Sequence, residues 1–221
     1  MSLVTYEQIK QNDAIRTYIK KADEALCAIG YTEHAFAHVT RVAENAASIL
    51  KTLGFSDRTV ELAKIAGYLH DIGNIINRVD HALSGANMAF RILDNLGMDP
   101  GELATVIAAI GNHDEGTGTP VNAVTAALII ADKSDVRRTR VRNRDVATFD
   151  IHDRVNFAVE SSQVAISEDK RACVLSLTID TEICAVMDYF EIFLNRMLLC
   201  RKAAEFLGLH FRLLVNGTKL L

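Results

Sequence analysis

Residues 69–74 read Leu-His-Asp-Ile-Gly-Asn, and they close an apolar stretch with two adjacent side chains that are good metal ligands. Neighbours on an α-helix point about 100° apart, so His70 and Asp71 would not share one face of a regular helix. What such a pair does there depends on what surrounds it.

Upstream, Val39, Val42, Ala46, Ile49, Leu50 and Leu53 recur at helical spacing and stop at Gly54. Ser56 opens a second helix carrying Val60, Ala63, Ile65, Ala66 and Leu69, which ends near Gly73. Downstream, helices are expected at 81–96, 100–112 and 120–134, with Asp99-Pro100 and Thr119-Pro120 each read as a cap followed by a first helical residue. Residues 1–150 therefore read as one all-helical domain. Beyond them, "RVNFAVESSQVAI" (154–166) and "ACVLSLTID" (172–180) are β-branched and partly alternating, as strands are. A helical run over 181–207 and a tail with Asn216-Gly217, a hairpin signal, complete the chain. The expected fold is mainly α, with a small α+β appendage over 151–221 of antiparallel strands against one long helix.

Composition narrows the function. Of 221 residues, 49% are hydrophobic and 24% charged, enough to fill a core and stay soluble. A net charge of −4 gives no global attraction to nucleic acid or acidic membranes. Cys27, Cys173, Cys184 and Cys200 form no C-x-x-C pair, which argues against a cysteine zinc site or a disulfide framework and for buried free thiols. The first residues are charged throughout, and no stretch approaches the ~18 uncharged apolar residues of a membrane span. A cytoplasmic protein without membrane contact is expected.

The histidines fall in an ordered set. His38 lies in the first turns of the 33–53 helix, His70 and Asp71 end the next, His81 opens another, His113 ends the 100–112 helix and Asp132 comes late in 120–134. Any one of them alone reads as a core or surface residue. Together, imidazoles and carboxylates suit iron, manganese, cobalt, nickel or zinc.

The order His38, then His70-Asp71, then Asp132 resembles the H…HD…D signature of the HD superfamily of metal-dependent phosphohydrolases. The local wording fits as well: "HVTRVAENAASIL" around His38, "AKIAGYLHDIGN" around His70 and "LIIADKSD" around Asp132. The resemblance takes in about residues 30–145. It implies an HD helical bundle in which His38, His70, Asp71 and Asp132 meet at one metal. It also suggests how the adjacent pair converges: the helix unwinds after His70, and Gly73 permits the turn. "HALSGANMAFRIL" from His81 resembles a segment of two-metal subfamilies, and His113 in "AAIGNHDEG" matches a further ligand position there. On that pattern Asp71 bridges two divalent transition-metal ions, with His81 and His113 on the second. Iron or manganese is expected, with cobalt, nickel, zinc or magnesium as alternatives.

The implied activity is cleavage of a phosphoester or phosphoanhydride bond, in a nucleotide, by a metal-bound hydroxide, with Asp71 central. His34 lies four residues before His38, on the same helical face, and is the candidate for a substrate or proton-transfer role. The run "KSDVRRTRVRNR" (133–144) starts beside Asp132, so Lys133, Arg137 and Arg138 are the candidates for binding substrate phosphate, Lys133 also for stabilising charge during the reaction. If the helix continued, Lys133, Arg137, Arg140 and Arg144 would share a face. As a nucleic-acid footprint the run is weak, since no aromatic platform accompanies it. His152 and His210 read as structural or surface residues, and the loop "NHDEGTGTP" as a flank of the cleft.

Among superfamily members, the pattern most resembles HD-type dinucleoside tetraphosphate hydrolases. The HD-GYP phosphodiesterases fit less well because the GYP segment is missing. Asn74 stands where many relatives carry lysine, removing a cation from the site. Two readings from other classes stay open: a di-iron oxygenase on the same fold, and a nucleotide-sensing regulatory module. Strands at the edge of the appendage make a homodimer plausible.

Overall fold

A computed structural model describes residues 3–220, so Met1, Ser2 and Leu221 of the two expected units lie outside it. The helical part runs α1 (Tyr6–Gln11), α2 (Asp13–Ala28), α3 (Phe36–Leu53), α4 (Asp57–Leu69), α5 (His81–Asn95), α6 (Pro100–Gly111) and α7 (Ala123–Lys133). α7 is the hub. Every residue from Val124 to Ala131 is buried, and the helix touches α3, α4 and α6. A helix apolar on all sides is stable only when covered on all sides. Each of Leu128, Ile129 and Ile130 contributes about 1.5–3 kcal/mol by leaving water.

α3 and α4 approach closely because Gly67 faces Ala43. A Cβ at Gly67 would lie 2.7 Å from the Ala43 Cα, so a larger residue would push apart the two helices that carry His38 and His70. Asp99 caps α6 with Pro100 in the first turn, as expected. Thr119-Pro120 does not open α7. Asn122 does, its side chain accepting from the Thr125 N–H, which displaces the helix start past the proline.

After the 3-10 turns Arg138–Arg140 and Val146–Thr148 come α8 (Ile151–Ala158), β1 (Val159–Ile166), β2 (Ala172–Ile179), α9 (Val186–Phe206), β3 (His210–Val215) and β4 (Thr218–Lys219). Residues 154–158, expected to be strand, are helical because Asp150 caps the Asp153 N–H and Val155 and Ala158 turn inward. The long helix starts at Val186, later than expected. The strands form one sheet in the order β1-β2-β3-β4, with β1/β2 and β3/β4 antiparallel. The central pair β2/β3 is parallel, against the all-antiparallel expectation. The reason is α9, which connects them and supplies the crossover that parallel neighbours require. Asn216 and Gly217, both in the left-handed region, make the expected hairpin turn.

α9 lies against α7 as well as β2 and β3, and one buried cluster runs through both parts of the chain. Cys173, Cys184 and Cys200 are buried free thiols, whereas Cys27 is exposed. Among the described residues no helix is long and apolar enough to cross a membrane.

Candidate metal centre

α4 ends at Leu69, but the chain does not unwind. His70 keeps right-handed helical angles, Asp71 sits at φ −96° and ψ 0°, and a 3-10 turn follows over Ile72–Ile75. This tightening from α to 3-10 changes the spacing of neighbours and brings His70 Nε2 to 3.2 Å from Asp71 Oδ2. Gly73 serves packing rather than a left-handed turn. A Cβ there would lie 2.0 Å from the His81 carbonyl oxygen and 2.4 Å from the Gly85 nitrogen, so its absence lets the 3-10 turn dock on α5.

Four imidazoles then converge, each held by its far nitrogen. Nδ1 of His70, His81 and His113 faces the carbonyls of Gly67 (2.8 Å), Arg78 (3.1 Å) and Ile110 (2.6 Å), and Nδ1 of His38 faces Asp135 Oδ2 (2.8 Å). Carbonyls and carboxylates only accept, so each Nδ1 carries a proton and donates it. Every Nε2 is aimed at one buried space. Such outer partners fix tautomer and ring direction at metal sites. Nε2 of His38 and of His70 are buried with no hydrogen-bond partner.

Asp71 stands between two histidine pairs. Its Oδ2 lies 3.5 Å from His38 Nε2 and 3.2 Å from His70 Nε2, and its Oδ1 lies 3.6 Å from His81 Nε2 and 4.0 Å from His113 Nε2. Asp132 Oδ1 closes the first group at 3.4 Å from His38 and 3.6 Å from His70. Asn74 is buried and donates to Asp71 Oδ1 and to the Asp71 carbonyl, both at 2.9 Å, so this residue fixes the carboxylate. Among the described residues three overlapping sets are spaced to hold a cation: His38, His70 and Asp71; His70, His113 and Asp132; and Asp71, His81 and His113. The donors are nitrogen and oxygen without sulfur, a set that fits first-row divalent metals.

The charge state agrees. Burial alone would lower the His70 imidazole, but the Asp71 and Asp132 carboxylates outweigh it and push it up to about 10. Burial would raise Asp71 and Asp132. For Asp71 the His70 imidazole, and for Asp132 the Lys133 ammonium, lead the contacts that hold each well below the usual carboxylate range. His113 is pushed well below the imidazole range by burial and by His70, and stays neutral. A metal ion takes up neutral imidazoles beside ionised carboxylates, so His113 is ready as it stands whereas His70 must first give up a proton.

Residues 35–155, more than half of the chain, match the family model of the HD domain. The chain belongs to the HD domain family. The protein MJ1020 of Methanocaldococcus jannaschii, whose name calls it uncharacterized, is 26% identical over 189 residues, covering 75% of this chain and 72% of the relative. A crystal structure of a predicted HD superfamily hydrolase from an uncultured Thermotogales bacterium is 30% identical, with a TM-score of 0.45 over 56% of this chain and 67% of the other.

A cavity of about 410 Å³ opens over the HD-domain cluster, reached by Asp71, His81, His113 and Asp132 from below. His34 lines it, but it precedes α3 and so does not share a helix face with His38. Its ring stacks edge-on at 5.3 Å from that of His38, and its Nδ1 donates to the Thr32 carbonyl. Burial and the Arg140 cation push His34 well below the imidazole range, leaving a bare Nε2 that accepts rather than donates. Lys133 lines the cavity too, its Nζ 2.7 Å from both Asp132 Oδ2 and Glu115 Oε2.

Arg137 and Arg138 do not line this cavity. α7 stops at Lys133, so the run turns away: Arg137 pairs with Asp135 and Glu33, and Arg138 donates to the Phe157 carbonyl, both lining a separate hollow beside β1. Sequence reading missed Arg78 and Arg196 and saw Asp135 and Arg140 only as members of the basic run. Asp135 is buried and in ion pairs with His38, Arg41 and Arg137. Arg78 lies in the irregular segment after the 3-10 turn and donates to Asn74 Oδ1 at 3.3 Å, placing a cation beside Asn74. Arg196 and Phe193 reach the cavity from α9, and His152, taken for a surface residue, lines its exposed side with Asp150 and Asp153.

Proposed function

We propose that the chain is a metal-dependent phosphohydrolase that cleaves a phosphate ester or anhydride bond, with a nucleotide as the substrate, at two divalent transition-metal ions sharing Asp71. The observation that carries this reading is the Asp71 carboxylate, which turns one oxygen to His38 and His70 and the other to His81 and His113. His38, His70, Asp71 and Asp132 would hold one ion, and Asp71, His81 and His113 the second; the imidazoles suit iron and the carboxylates admit manganese, with cobalt, nickel, zinc or magnesium as alternatives. When bound, such cations supply Lewis acidity, lowering the pKa of water and neutralising charge on phosphoryl oxygens.

The chain's own residues do the rest. Asn74 holds the shared carboxylate in place through two hydrogen bonds. Asp135 keeps the His38 ring turned so that its Nε2 faces inward. Lys133, tied to Asp132 and Glu115, holds a positive charge at the cavity wall. His34, neutral and with Nε2 free to accept a hydrogen bond, is placed to orient a water.

The test is a phosphate-release screen over nucleotides with added manganese, iron, cobalt, nickel, zinc or magnesium, in parallel with Asp71→Ala. Metal-dependent release that disappears in the variant supports the reading. Oxygen consumption by the iron-loaded protein without phosphate release would favour the oxygenase instead.

A further inference from the structure

We infer that the site takes substrates presenting a single phosphoryl group, phosphate monoesters, and turns away di- and triphosphates. This rests on the phosphohydrolase reading above and narrows it.

The argument is one of charge. Four cations line the cavity: Arg78, Lys133, Arg140 and Arg196. Lys133 is held between Asp132 and Glu115 at 2.7 Å each, and Arg196 Nε donates to Glu115 Oε1 at 3.1 Å. Arg140 is buried, with Nε on the Glu33 carbonyl at 2.9 Å and Nη1 on the Asp135 carbonyl at 2.6 Å. Arg78 differs. Its nearest carboxylate, Asp114, is 3.9 Å away, and the guanidinium instead touches Asn74 Oδ1 and His81 Nε2 and lies over the Tyr31 ring at 5.4 Å. Arg140 too has no carboxylate at hydrogen-bond distance, the nearest being Asp135 Oδ2 at 3.8 Å, but it is buried with its guanidinium on two main-chain carbonyls. Among the described cavity residues Arg78 is therefore the cation left to meet a ligand. A guanidinium fork binds one phosphoryl group in bidentate fashion, and here it stands beside the metal-facing nitrogen of His81.

The exposed part of the lining has the opposite sign. α8 and its cap place Asp150 and Asp153 there, with His152, while Asn156 lines the cavity from a buried position. Neither carboxylate is in an ion pair with a lysine or arginine among the described residues. Asp150 caps α8, and Asp153 accepts from Asn143 Nδ2 at 3.4 Å. A second or third phosphate reaching outward from the metals meets these carboxylates, where like charges repel. Hydroxyl or amino donors on the alcohol part of a monoester find acceptors in the same place.

The experiment compares adenosine mono-, di- and triphosphate as substrates of the metal-loaded full chain. Alongside, equilibrium binding is measured for their uncleavable phosphonate analogues. The expected result is a kcat/KM for the monophosphate above the other two by about tenfold or more, with binding in the same order. Asp150→Asn with Asp153→Asn keeps the α8 cap and narrows that gap. Arg78→Gln raises KM for the monophosphate, and Arg78→Lys restores part of the loss. Equal or faster turnover of the triphosphate overturns this inference and leaves the phosphohydrolase reading standing. A gap unmoved by the double asparagine variant also overturns it. Metal uptake without turnover of any of the three overturns both.

Discussion

His81 Nε2 and His113 Nε2 stand 3.2 Å apart, and neither ring can turn a proton toward the other without giving up the main-chain carbonyl its Nδ1 holds. Arg78 Nη1 reaches the His81 lone pair at 3.2 Å, but the His113 lone pair faces only His81, an arrangement that is unfavourable in a buried space unless a cation lies beside both. Burial holds both rings below the ordinary imidazole value, so protonation is not the remedy. Replacing both by alanine should therefore remove one metal ion and spare the other. Elemental analysis is expected to fall from about two ions per chain to about one. Unchanged content in the double variant would speak against this pair as ligands.

Asp135 acts on the site through His38. Its carboxylate fixes the ring by a 2.8 Å hydrogen bond and is itself in ion pairs with Arg41 and Arg137. Asp135→Asn keeps the volume and should weaken metal binding by about 10–100-fold while the circular dichroism spectrum stays native. Competition titration against a chelator dye reads this affinity. Wild-type affinity in the variant would reduce Asp135 to a structural role.

Metal uptake must release protons. His70 is pushed up to about 10 by Asp71 and Asp132, against the lowering effect of burial, so at pH 8 the metal-free imidazole is charged. Binding should release about one proton at pH 8, read by calorimetry in two buffers of different ionisation enthalpy. The same shift sets a stability trend in the metal-free chain. The folded value lies above the unfolded one, near 6.5, so the stabilising contribution is complete below about pH 6.5 and lost as pH rises toward 10. Urea midpoints should fall over that window, and His70→Gln should flatten the fall.

Gly73→Ala introduces a methyl where backbone atoms of His81 and Gly85 already stand. Backbone cannot yield as a side-chain tip does, so the 3-10 turn must lift off α5 and carry Asp71 away from His81. A loss of about 1–3 kcal/mol or more is expected, read as a lower denaturation midpoint. Metal binding should suffer with it.

How far the site could be read from sequence depends on where each signal lies. The stripes of α3 and α4 are periodic, and the ordered set His38, His70, Asp71, His81, His113 and Asp132 comes together in space as its positions on those helices imply. Asp135 carries no such signal, because its bond to His38 crosses 97 positions of chain. Arg137 and Arg138 are candidates only because their run starts beside Asp132, but Ser134 ends α7 and the burial of Asp135 turns the run outward. Arg78 lies in an irregular segment with no periodicity to mark it. The parallel β2/β3 pair was illegible for another reason: strand direction follows from how α9 crosses the sheet, and strand composition does not encode it.

The central claim is that Asp71 is shared by two ions. Anomalous scattering from crystals of the manganese-loaded protein tests it most directly. The account predicts two peaks per chain, one on the His38, His70 and Asp132 side of the Asp71 carboxylate and one on the His81 and His113 side. One peak alone, or peaks away from Asp71, would contradict it.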